Sequence, residues 1–112
     1  MDKKYHNHVQ IKVAITLKKL LSENKTHPVN TNDEKEVLKS YESIAIAADL
    51  RKATVNDIFN ANTKSRIITL IAVVESLGFS MNLFGKIYDA VTEKEIADFL
   101  FLKKNKEKQK TK

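Results

Sequence analysis

Few side chains in this sequence are placed for bond-making chemistry. His6 and His8 stand two apart near the start, His27 sits beside Pro28, and there is no Cys. Zinc sites use three or four N, S or O ligands at fixed spacing, and no acidic or thiolate partner stands at such a spacing from these histidines. The sequence therefore predicts no metal centre, and a disulfide framework is closed to it. The carboxylates are densest at Asp33, Glu34, Glu36 and Glu42, where they read as helix caps and surface charges rather than an acid–base pair. There is no Gly-rich phosphate loop and no nucleophile in a familiar catalytic frame. The expectation is a protein that is not an enzyme and needs no cofactor. The other concentration of hydrogen-bonding side chains runs from Arg51 to Arg66, and its use depends on the elements that hold it.

Those elements are predicted to be helices. The chain of 112 residues is 42% apolar, with a single Pro and two Gly. That is enough apolar content for a packed core and too few breakers for a turn-rich sheet protein. The expected fold is all-α, a single domain of five or six helices over 9–102, preceded by a flexible arm over 1–8. The arm is too polar for a signal peptide, and the longest mostly apolar stretch, Ile67–Val74, is too short to span a bilayer. A cytoplasmic protein with no membrane partner is expected.

Period-3.6 stripes place the helices. Val9, Val13, Leu17, Leu20 and Leu21 share a face of a first helix ending near Glu23, followed by a polar loop over 24–32. Asp33 with Glu36 forms a capping-box pattern before a helix carrying Val37, Tyr41, Ile44, Ala45 and Ala48. A helix from about Ala53 to Asn60 buries Val55, Ile58 and Phe59. The most apolar helix, about Ser65 to Leu77, aligns Ile67, Leu70, Ile71, Val74 and Leu77, with Ile68, Ala72 and Val73 on other sides. It is expected to be central, and Gly78 to end it with a left-handed C-cap. Ser80 caps a helix holding Leu83, Phe84, Ile87 and Tyr88, and Thr92 with Glu95 opens a last helix to about Lys104.

Within this series the segment IAIAADLRKATVNDIFNA, Ile44 to Ala61, has the outline of a helix-turn-helix. Ala45 puts almost no side chain where two crossing helices touch, Ala48 follows Ile44 by four residues, Leu50 plugs the corner, and Val55 and Ile58 face inward. In this pattern the sequence resembles the Cro and phage-repressor family of bacterial DNA-binding domains. The ending Ser76-Leu77-Gly78-Phe79-Ser80 of the next helix is similar to the family's as well. The likeness covers roughly residues 40–85. Three features depart from the family: Asp49 and Ala61 stand where it usually has Gly, Tyr41 stands where many members have a phosphate-contacting Gln, and the loop at 24–32 lengthens the first connection. Asp tolerates a left-handed backbone, whereas Ala61 implies a different exit from the second helix.

The resemblance implies that the helix from Ala53 to Asn60 enters the major groove of double-stranded DNA. Lys52, Ala53, Asn56, Asp57 and Asn60 then form the outward stripe. Asn reads adenine through two hydrogen bonds, Asp accepts from cytosine, and Ala meets a thymine methyl. Arg51, Thr54, Asn62, Lys64 and Arg66 flank the stripe as candidate phosphate contacts that fix register, and the start of the following helix can add backbone donors. The same Asn residues also read as a merely solvated face in a chain rich in Asn, Lys and Ile.

The implied role is a homodimeric transcriptional regulator, a repressor, or equally an antitoxin with a toxin partner, as members of the family also are. The apolar last helix around Ile96–Leu102 either packs on its own domain or forms the dimer. The alternative function is a helical protein–protein interaction module that does not bind DNA. Charge favours neither reading. The net +6 is concentrated in residues 103–112, a Lys-rich tail expected to be disordered with six Lys and one Glu. The remaining body carries 14 basic and 13 acidic side chains.

Overall fold

A computed structural model describes the backbone of residues 3–26 and 40–110 and the side chains of residues 8–26 and 40–104. The described residues form six helices and no strand: α1 (Lys3–Lys25), α2 (Tyr41–Ala48), α3 (Lys52–Phe59), α4 (Ile67–Ser76), α5 (Met81–Ala90) and α6 (Glu93–Lys110). The all-α expectation holds. The predicted capping box at Asp33 and Glu36, with Val37, lies outside the described residues.

Helices cover more of both ends than the sequence predicts. Residues 3–8, expected as an arm, belong to α1, and residues 103–110 of the expected tail belong to α6. No Gly or Pro interrupts either stretch, and Lys and Gln are good helix formers. Asn24 and Lys25, assigned to the loop, also continue α1. The Asn24 Nδ2 donates to the Leu77 carbonyl at 3.0 Å and so satisfies the end of α4.

Local chemistry explains most of the boundaries. Ser40 caps α2 by accepting from the Ser43 amide at 3.0 Å, and the Ser43 hydroxyl accepts from the Ser40 amide in return. Ser80 caps α5 in the same way through Leu83. The Thr92–Glu95 capping box forms as predicted, each side chain accepting from the other's backbone amide. Gly78, at φ +92°, ends α4: its amide donates to the Glu75 carbonyl and that of Phe79 to Val74. This is a Schellman turn, with Phe79 folded back on the core.

The main core joins five helices. Leu17, Leu20 and Leu21 of α1 meet Ile44 and Ala45 of α2, Val55, Ile58 and Phe59 of α3, Leu70, Val73 and Val74 of α4, and Phe84 of α5. Contacts run α1–α3–α2–α4–α5 and back to α1, a closed circuit, and α6 packs on α1. A second, smaller cluster of Ile11, Ile15 and Ile96, with Ala61, Val91 and Phe99, holds α6 there. The central element is α1, which touches α3, α5 and α6, and not α4 as its apolar content suggests. Ile67 and Ile68, in the first turn of α4, are 62% and 79% exposed. Leu100, assigned to the inner face of α6, and Leu83 of α5 are exposed too. No single helix among the described residues is long and apolar enough to cross a membrane.

Candidate nucleic-acid interface

The helix pair α2–α3 is built around small and branched residues in the order the sequence suggests. Ile44 and Ala45 are buried on α2, Val55, Ile58 and Phe59 on α3, and Leu50 packs half-buried between the two. Because Ala45 carries only a methyl group, α3 can approach α2 closely at this point. Tyr41 turns inward, its ring 4.7 Å from that of Phe59. Burial pushes its phenol above the usual value.

The turn between the helices depends on the backbone of Asp49, which sits at φ 56°, ψ 52°. Its amide donates to the Ile46 carbonyl at 3.3 Å, and the Leu50 amide reaches back to Ala45 at 2.8 Å. The pair of bonds makes a Schellman turn with an Asp in the left-handed position. The exit of α3 repeats it. Ala61 has φ 59°, its amide donates to Ile58, and the Asn62 amide reaches Asp57 at 2.8 Å. The different exit implied by the absence of Gly at this position is therefore corrected: the backbone takes the glycine-type conformation with an alanine in it. Two tertiary contacts hold it there. The Ala61 methyl group packs in the second cluster, and Lys103 Nζ of α6 donates to the Ala61 carbonyl at 3.3 Å.

These turns set the surface of α3. Arg51, Lys52, Ala53 and Asn56 are exposed, while Thr54, Asp57 and Asn60 are half-buried. Helix α3 starts at Lys52, one residue before the predicted start, with Arg51 as an N-cap that makes no side-chain cap bond. Beyond α3, Asn62, Lys64 and Arg66 are exposed along the connection to α4, whose N-cap Arg66 also leaves the first-turn amides without a side-chain cap. The sequence-predicted residues thus lie on one helix, at its N-cap and along the segment leaving it. Among them sequence reasoning missed one coupling: Asn60 Nδ2 donates to the Asn56 carbonyl at 2.7 Å and to its Oδ1 at 3.1 Å. Their i, i+4 spacing was the available signal.

The described residues contain no group of three or more His, Asp or Glu side chains placed to hold a metal ion, and no buried side-chain polar atom without a partner. His8 is exposed; the side chains of His6 and His27 lie outside the described residues. Comparison with protein-family models, with curated proteins and with solved structures finds no match to this chain.

Proposed function

We propose that this chain binds double-stranded DNA sequence-specifically by laying α3 in the major groove, in the manner of the Cro and phage-repressor family. The observation that carries the reading is the left-handed backbone at Asp49 and Ala61. These are the two positions where that family usually has Gly, and a left-handed residue is what a Gly there serves. Lys52, Ala53, Asn56, Asp57 and Asn60 face the bases. Arg51, Thr54, Asn62, Lys64 and Arg66 hold phosphates on either side. The active form is a homodimer joined through α6, where Leu100, Phe101 and Leu102 are exposed, and it serves as a cytoplasmic transcriptional regulator or repressor.

Selection of duplexes from a random pool by the full chain tests this. A palindrome with half-sites about one helical turn apart is expected, its recovery lost on Asn56→Ala. No enrichment, with only salt-sensitive binding that disappears in a chain ending at Lys104, overturns it. A second reading, a helical protein–protein interaction module that does not bind DNA, draws on the exposed Ile46, Ile67 and Ile68 and becomes the preferred one in that event.

A further inference from the structure

Helix α3 carries no basic residue in its last turn, although the carboxyl end of a helix holds partial negative charge that a cation stabilises. The chain supplies that cation from another helix. Lys103 of α6 reaches the exit of α3, and its Nζ donates to the Ala61 carbonyl at 3.3 Å. The carbonyl belongs to the residue at φ 59°, whose type resists that backbone conformation. The same turn closes α3, since the Asn62 amide donates across it to the Asp57 carbonyl at 2.8 Å. Ile96 and Phe99 of α6 belong to the cluster in which Ala61 packs. Helix α6 therefore holds this one residue by its side chain and by its carbonyl.

A helix of eight residues is too short to persist alone, and its final turn follows whatever fixes the exit. Asn60 stands there as the C-cap, with its Nδ2 on the Oδ1 of Asn56. We propose that Lys103 is a positioning residue of the DNA-binding surface. It holds the Ala61 turn with a cation supplied from α6, and through that turn it sets how Asn60 and Asn56 meet a base. The proposal rests on the DNA-binding reading and separates Lys103 from the other lysines that follow Leu102. A lysine that met DNA only at phosphates would add affinity without sequence information. One that acts through Ala61 changes the preference at a particular base pair and leaves the phosphate contacts alone.

The test uses full-length chains carrying Lys103→Met, Lys103→Arg, or Lys103→Met together with Ala61→Gly. Lys104→Met, at an exposed neighbour, is the control. Amide hydrogen exchange is read first, without DNA. Lys103→Met should speed exchange of the Asn62 amide roughly fivefold and leave the Leu17 amide, in the core, unchanged. Lys103→Arg keeps the charge and the donors and should restore protection. Adding Lys103→Met to Ala61→Gly should change little, because Gly holds a left-handed backbone unaided. On the selected duplex, Lys103→Met should reduce preference roughly fivefold at the base pair read by Asn56 and Asn60, with the slope of log K against log salt unchanged. Asn62 exchange that stays as in the wild type, or that rises equally at Leu17, overturns the proposal. So does a uniform loss on every sequence with the slope flattened by about 1, which makes Lys103 a phosphate contact. A wild-type chain with no duplex preference overturns the DNA-binding reading and the base preference drawn from it, while the exchange rates still decide whether Lys103 holds the turn.

Discussion

The Asn60 side chain donates to the Oδ1 of Asn56, one turn earlier, at 3.1 Å, and so fixes which way the Asn56 amide faces. Reading an adenine requires the amide oxygen and nitrogen of one Asn to meet the base edge together, and Oδ1 keeps a second lone pair for that purpose. Asn56→Ala is expected to cost about 1–3 kcal/mol of binding to the preferred duplex and to relax preference at one base pair. Asn60→Ala, which frees Asn56 without removing it, should cost less at that same base pair. Equal losses, or losses spread over all positions, would count against base readout by Asn56.

The left-handed turns give a stability prediction that is independent of function. Asp49 and Ala61 hold φ 56° and 59°, a conformation that costs an L-residue roughly 1–2 kcal/mol. Asp49→Gly should therefore raise stability by about 1 kcal/mol, seen as a melting temperature several degrees higher. Ala61→Gly should gain less, because its methyl group packs in the second cluster. Gly78→Ala should lose about 1 kcal/mol through backbone strain alone, since open space surrounds the position where the methyl group would sit.

Glu95 predicts a pH dependence. Its carboxylate accepts from Lys19 at 2.7 Å and from the Thr92 amide, and these bonds, Lys19 first, hold its pKa below the usual carboxylate range. A carboxyl group with a lowered folded-state pKa contributes stability above its unfolded value, near 4.3, and loses it as the pH falls through the lower folded value. Glu95→Gln keeps an acceptor for the cap but not the charge. Urea midpoints of the two proteins should differ at pH 7, with the wild type more stable, and converge as the pH falls through the lowered folded-state value. A difference that does not narrow as the pH falls would assign the effect to packing instead.

Burial along α1 and α4 predicts opposite sensitivities for two aliphatic residues. Leu17 is fully enclosed, so Leu17→Ala should cost about 2–5 kcal/mol. Ile68, 79% exposed, should tolerate Ala within about 0.5 kcal/mol. Chemical denaturation of both variants ranks the two helices directly.

On α6, Phe101→Glu places a charge on a side chain that is 65% exposed. The fold should survive, and a dimer joined through this helix should dissociate in sedimentation. A dimer that persists would place the joint elsewhere.

The parts of this fold that could be read in advance are those decided within a few residues. Ser80, Thr92 with Glu95, and Gly78 each act on amides or carbonyls within one turn, so their types and spacing sufficed. The rank of α4 could not be read that way. Apolar content says that a residue prefers burial, not whether a neighbour reaches it, and α2 and α5 leave Ile67 and Ile68 uncovered. Ala61 shows the same limit at one residue. Its local preference is against a left-handed turn, and the contact from Lys103, 42 residues away, is invisible to any local pattern. The candidate site was legible as a stripe on α3.

The circuit of contacts through α1, α3, α2, α4 and α5 has a mechanical consequence. Five bodies joined in a closed chain have fewer independent motions than the same bodies joined in an open one. Tilting α3 against α1 must also slide α2 on α4 or α4 on α5, each move resisted by a close-packed interior. Helix α3 is thereby held as stiffly as the shared core allows, although it is only eight residues long. Helix α6 lies outside that loop, seated on α1 by the smaller cluster. Through Lys103 and the packing of Ala61 it braces the exit of α3 from outside the loop.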